Sequence, residues 1–148
     1  MSLKDKIQED LKQAMRDKNQ ARVDTIRLLT AAIKQREVDE RIVLDDTQIL
    51  AVVDKLVKRS RESIEQYERG ARPDLVAKEK ADTTIWQSYL PQPLGAAEID
   101  QLIAEAIAVT GAASVRDMGK VMGLLKPKLQ GRADIGQVSA RVKTRLGA

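Results

Sequence analysis

The chain has no cysteine, no histidine and no phenylalanine among its 148 residues. Lack of cysteine excludes disulfides, thiolate nucleophiles and thiolate-held structural zinc. Lack of histidine removes the commonest general base at neutral pH, and with it the usual partner of a nucleophilic serine. Aromatics are reduced to Tyr67, Trp86 and Tyr89. The apolar residues are instead Leu, Ile, Val, Ala and Met, a set that suits helices better than sheets. No apolar run reaches the roughly 20 residues needed to span a membrane, and Met1 leads into a charged amphipathic pattern without an apolar signal core. The expectation is a cytoplasmic protein that does not engage a membrane.

What is present is helical periodicity, and it predicts an all-α fold with an N-terminal domain of about four helices and a small C-terminal three-helix bundle. A first helix begins after Ser2, with Leu3, Ile7, Leu11, Ala14 and Met15 on one stripe. A second turns Val23, Ile26, Leu29 and Ile33 inward, with Leu28 and Ala32 widening the stripe. Residues 41–46 read as a loop. Thr47 is the expected N-cap of a long third helix that carries Ile49, Val52, Val53, Leu56, Val57, Ser60, Ile64 and Tyr67 and stops at Gly70. Asp74 is the expected cap of a fourth helix, which reaches about Tyr89.

The segment Leu90-Pro91-Gln92-Pro93-Leu94 cannot continue a helix, and it places the domain boundary between 1–90 and 91–148. Three shorter helices follow. One carries Ile99, Leu102, Ile103, Ala106 and Ile107 and stops near Gly111. Ser114 and Asp117 form a capping box for the next, which buries Met118, Val121, Met122 and Leu125 and is ended or kinked by Pro127 and Gly131. Asp134 and Gln137 repeat the arrangement for the last, with Ile135, Val138, Val142 and Leu146 inward.

Charge is unevenly placed. Residues 1–90 are nearly balanced, and residues 91–114 carry only the acidic Glu98, Asp100 and Glu105. From Val115 onward eight cations stand against Asp117 and Asp134. Like charge concentrated in a short segment makes a candidate anion-binding surface.

Catalytic patterns are weak. The serines Ser2, Ser60, Ser63, Ser88, Ser114 and Ser139 have no histidine to activate them and no nucleophile-elbow motif. Glu62, Glu65 and Glu68 recur every three residues but are interleaved with Arg59, Arg61 and Arg69, which reads as a salt-bridged surface instead of a metal site. No metal and no cofactor is expected. Met118-Gly119-Lys120-Val121-Met122-Gly123 lacks the glycine spacing, the preceding strand and the hydroxyl residue of a phosphate loop. Gly119 and Gly123, one helical turn apart, instead suggest a notch for a close approach, either of a neighbouring helix or of a ligand backbone. Gly131-Arg132-Ala133-Asp134 brings a cation and a helix N-terminus to one turn, which favours a phosphate oxygen; the competing reading is an ordinary joint capped by Asp134.

Taken together, Arg27-Leu28-Leu29, Arg61-Glu62-Ser63-Ile64-Glu65-Gln66-Tyr67, Tyr89-Leu90-Pro91, the Met118–Gly123 stretch and Gly131-Arg132-Ala133-Asp134 resemble the GatB/YqeY family, in its stand-alone YqeY-like form. The resemblance implies a C-terminal domain similar to the tail of the B subunit of the glutamine-dependent tRNA amidotransferase, a tail that engages the tRNA body. That subunit's catalytic cradle belongs to a separate preceding domain, which residues 1–90 do not resemble. The carbon–nitrogen ligase activity attached to the family, with glutamine as amide donor, is read as inherited through the shared tail, since a shared domain does not confer a site.

The expected function is therefore a tRNA-associated binding module or accessory factor with no catalytic site of its own. Its nucleic-acid-binding residues are Lys120, Lys126, Lys128, Arg132, Arg141, Lys143 and Arg145, with Gly119, Gly123 and Gly131 as close-approach glycines. All three aromatics lie outside the bundle, so recognition by shape is expected over base stacking. Expected partners are tRNA and, beyond it, an aminoacyl-tRNA synthetase or amidotransferase components. The alternatives are a helical protein–protein adaptor and an amidotransferase component that works only in complex.

Overall fold

The computed structural model describes residues 1–147, and these form seven α-helices, one 3-10 turn and no strand. The chain divides into two compact units, Met1–Leu90 and a second beginning at Pro91.

The first unit contains α1 (Leu3–Arg16), α2 (Gln20–Glu40), α3 (Asp46–Arg69) and α4 (Pro73–Gln87). Its core is the stripe of Ile7, Ile26, Leu29, Ile49, Val53 and Val57, each almost fully enclosed. Two residues assigned to these stripes stand outside it: Met15 and Leu28 are each 51% exposed. Leu28 precedes the buried Leu29 by one residue, about 100° around the helix, which carries it past the edge of the buried arc.

The start of α3 corrects the expected cap. Asp45, not Thr47, is the N-cap: its carboxylate accepts the Gln48 amide at 2.8 Å, and the Gln48 side chain accepts the Asp45 amide at 2.9 Å. The buried Leu44 and Ile49 flank this box and close it with apolar contact. The start of α4 is corrected as well. Pro73 with its fixed φ opens the helix at its first position, Arg72 precedes it without a side-chain cap, and Asp74 instead accepts the Arg72 guanidinium. Gly70 does close α3, but at φ −84; the left-handed position in that turn belongs to Ala71 at φ 53.

The α4 helix has no continuous apolar face, and hydrogen bonds dock much of it. The Thr25 hydroxyl donates to Asp82 at 2.6 Å, and the Trp86 indole donates to the Thr25 carbonyl at 3.1 Å. A second chain runs from the Thr83 hydroxyl to Ser60 at 2.6 Å and from Ser60 to the Glu79 carboxylate at 2.7 Å. Thr25, Ser60, Asp82 and Thr83 are all buried, and unpartnered polar atoms there would be costly.

At the other end of the unit, Glu37 accepts the Leu44 amide at 2.9 Å and the Lys4 ammonium at 2.9 Å. The backbone amide first and Lys4 second hold its carboxyl below the ordinary glutamate range.

In the second unit α6 (Met118–Leu129) lies against both α5 (Ala96–Thr110) and α7 (Ile135–Gly147), with a 3-10 turn at Val115–Asp117 leading into it. Ile103, Val121, Leu125, Leu129, Val138 and Val142 form the core. Of the two residues expected to end or kink α6, Pro127 does not end it and Gly131 marks the turn after it. The helix continues to Leu129, and the chain turns at Gly131 with φ 73. Proline there removes one backbone bond, to the carbonyl of Gly123, which lies on the exposed side of the helix.

Two outcomes follow from the first unit. Replacing Thr25 with Val leaves the buried Asp82 oxygen without its hydroxyl donor and is expected to lower stability by about 1–3 kcal/mol in urea unfolding. Because the Glu37 pKa is lowered on folding, its contribution is complete above the ordinary glutamate value of about 4.3 and is lost as pH falls through the lowered one. Glu37→Gln should therefore lower stability at neutral pH and flatten the acid limb of the unfolding midpoint against pH.

Candidate nucleic-acid interface

The seven cations selected from the sequence fall into three groups. Lys120, Lys126 and Lys128 project from the exposed sides of α6 and form no ion pair among the described residues. Helical spacing spreads them around that outer surface: Lys120 stands near its middle, while Lys126 and Lys128 lie towards opposite edges. Arg116, which the charge count included but the selected set did not, is exposed one turn before Lys120 and is also without an ion pair among the described residues. Only its place in the capped turn, ahead of the helical pattern, marks it.

Arg132 is engaged. Its guanidinium donates to the Gln92 carbonyl at 3.2 Å, and its own carbonyl accepts the Leu94 amide at 2.8 Å. It thus ties the proline segment to the turn between α6 and α7. Asp134 accepts the Gln137 amide at 3.2 Å, so a carboxylate already covers the first turn of α7 that would otherwise attract an anion.

On α7, Arg141 and Arg145 are one turn apart and lean towards α5. Arg141 lies 3.4 Å from the Asp100 carboxylate, and Arg145 donates to the Asp100 carbonyl at 3.2 Å. Lys143 occupies a different side of α7 and is exposed. The cations therefore do not form one continuous face. Those on α6 are the ones left without partners among the described residues, together with Lys143.

The start of α6 is well fixed. Asp117 accepts the amides of Ala113 at 3.0 Å and Ser114 at 3.4 Å, while the Ser114 side chain accepts the Arg116 amide at 3.3 Å. The Ala113 amide leads, followed by that of Ser114 and by the charge of Lys120, in holding the Asp117 carboxyl below its ordinary range.

Gly119 and Gly123 correct the first of the two readings of the notch. A Cβ placed on either would meet nothing within 4 Å, so no described helix of the second unit needs the space. They form a bare edge of α6 with Pro127, one turn further on, and Lys120 and Leu124 beside it. Gly131 has the separate role of turning the chain at positive φ.

A family model described as "Yqey-like protein" matches residues 4–146, which takes in both units. The chain belongs to the Yqey-like family. Among its relatives is a protein named "Altered inheritance of mitochondria protein 41, mitochondrial" from Pyrenophora tritici-repentis. It is 34% identical over 146 residues, covering 97% of this chain and 80% of that protein. The protein of the same name from Eremothecium gossypii is 38% identical over 103 residues, 69% of this chain and 56% of its own length. That from Saccharomyces cerevisiae is 32% identical over 92 residues, 62% and 50% respectively. This Yqey-like chain thus spans most of the first relative and about half of the other two. These names overturn the expectation of a cytoplasmic protein, since the relatives are named as mitochondrial.

The open space around Gly123 gives an expectation of its own. Gly123→Ala adds a methyl group to the interior of an exposed helix face and should raise stability by roughly 0.5–1 kcal/mol in thermal or urea unfolding.

Proposed function

We propose that this Yqey-like protein is a tRNA-associated accessory factor whose α6 surface contacts the phosphate backbone. The observation that carries the reading is the group of cations on α6, Lys120, Lys126 and Lys128, that form no ion pair among the described residues: Lys120 and Lys126 flank the bare edge of Gly119 and Gly123, and Lys128 stands on the far side of the helix. Unpaired cations gain affinity by releasing the counterions of a polynucleotide, and a helix edge without side chains admits a backbone closely. The resemblance of the C-terminal unit to the tRNA-engaging tail of the amidotransferase B subunit supplies the class of RNA. Tyr67, Trp86 and Tyr89 all belong to the first unit, which favours recognition of shape over stacking on bases. The role is one of binding, with no reaction assigned to the chain.

Engagement of Arg132, Arg141 and Arg145 within the unit narrows the phosphate-binding set to Lys120, Lys126, Lys128 and Lys143. The test is tRNA binding as a function of salt, with the Lys120→Glu, Lys126→Glu, Lys128→Glu triple variant beside the parent. For each phosphate that the variant no longer neutralises, the plot of log affinity against log salt should flatten by about 0.7–0.9. Unchanged affinity and slope in the triple variant would show the reading to be wrong. Gly123→Ala supplies a second measure: it should weaken tRNA binding while stabilising the fold, a combination that a general loss of structure does not produce.

A further inference from the structure

The first unit holds a charged groove that the α6 reading does not use. It lies between α1 and α2, has a volume of about 480 Å³ and is floored by the enclosed Ile7 and Ile33. Its size falls within the roughly 300–1,000 Å³ of small-ligand sites. Arg27 and Lys34 stand on its α2 rim, with Thr30 between them, and Gln8 and Lys4 stand on its α1 rim.

Of the three cations, only Lys4 has a carboxylate partner among the described residues, Glu37 at 2.9 Å. Glu37 is the one acid lining the groove among the described residues, and its charge is already met by Lys4 and by the Leu44 amide. Arg27 and Lys34 are seven residues apart, so they rise from the same side of α2 about 10 Å apart along its axis. Neither forms an ion pair among the described residues. The groove therefore presents two cations without ion pairs, an amide and a hydroxyl around an apolar floor, where two like charges on one side of α2 converge on a shared anion.

We propose that this groove is a phosphate-binding site, with the Arg27 guanidinium gripping two phosphate oxygens and Lys34 acting as the second charge. Arg27 is suited to the first task because its planar fork matches paired oxygens. Gln8 supplies a neutral hydrogen bond across the groove, and the Thr30 hydroxyl, which donates to the Arg27 carbonyl at 3.1 Å, adds a second on rotating away from it. The phosphate belongs either to a polynucleotide backbone or to a small phosphorylated molecule. The site stands on the α1–α2 geometry and does not depend on tRNA contact by α6.

The experiment is an NMR titration of the full chain with inorganic pyrophosphate at fixed ionic strength. Saturable shifts are expected at the Gln8 side-chain amide, the Thr30 backbone amide and the Arg27 Nε–H. Arg27→Gln with Lys34→Gln should weaken binding by about tenfold or more per cation removed. The control Lys12→Gln with Lys18→Gln removes the same charge elsewhere in the unit and should bind as the parent does. Because all four side chains are exposed, folding should be retained, which the spectra themselves report. Linear shifts spread over all surface cations, an unchanged titration in the Arg27/Lys34 variant, or equal loss in the control would each overturn the site. Adding tRNA to the pyrophosphate complex tells the two sources apart: displacement identifies a polynucleotide backbone, and retention identifies a small phosphorylated molecule. The α6 triple variant should bind pyrophosphate in the groove as the parent does, so a failure of the tRNA reading remains separate from a failure of this one.

Discussion

Thr25 uses both of its polar groups to hold α4 in place. Its hydroxyl meets Asp82 and its carbonyl receives the Trp86 indole, two residues one helical turn apart on α4. The remaining apolar contacts of α4 with the core, such as Ile85, are only partly buried, so these directional bonds determine the register in which α4 lies on α2. The Ser60–Thr83 bond does the same against α3. A buried polar network of this kind adds less net stability than apolar packing of equal size, but it resists slippage, because displacement strips buried polar atoms such as the Thr25 and Thr83 hydroxyls of their partners. Trp86 is thereby set into the core that Ile26, Leu29 and Val53 also fill.

The second unit depends on α6 in a different way. One side of that helix, Val121, Met122, Leu125 and Leu129, is enclosed by the unit's other helices, whereas the opposite side is lined by glycine, proline and lysine. Two glycines and a proline in a twelve-residue helix weaken it intrinsically. The fixed start at Ser114 and Asp117 and burial of the apolar side offset that weakness. The outcome is a helix packed on one side whose outer edge is nearly bare backbone, bordered by cations that form no ion pair with a described residue. That combination is the physical basis for the proposal that this surface meets a polyanion.

The two units present anion-seeking groups in contrasting settings. On α6 the lysines extend from a convex surface, where attraction is long-ranged, screened by salt and indifferent to sequence. In the α1–α2 groove Arg27 and Lys34 border a concave site with an apolar floor, where fewer charges act at shorter range. The first setting suits a backbone that must be tracked, and the second suits a single phosphate group.

The sequence by itself determined the all-helical class, the core stripes apart from Met15 and Leu28, and the membership of the family, because apolar spacing and short motifs are local properties of the chain. It also located the Ser114–Asp117 box and the Asp134 cap, whose partners lie within three residues. It misassigned the caps of α3 and α4, since Asp45 and Thr47 are both competent by type and only the reciprocal bond from Gln48 and the seating of Leu44 chose between them. Tertiary structure alone decided which cations are spoken for. Arg141 and Arg145 look identical in sequence to any exposed arginine until α5 brings Asp100 against them, some 40 residues away in the chain. The same holds for Asp82, which reads as a surface acid but meets Thr25 across 57 residues, and for the space around Gly119 and Gly123. Contacts at such separations are set by how helices pack, and packing depends on all of the buried side chains at once instead of on any local run of residues.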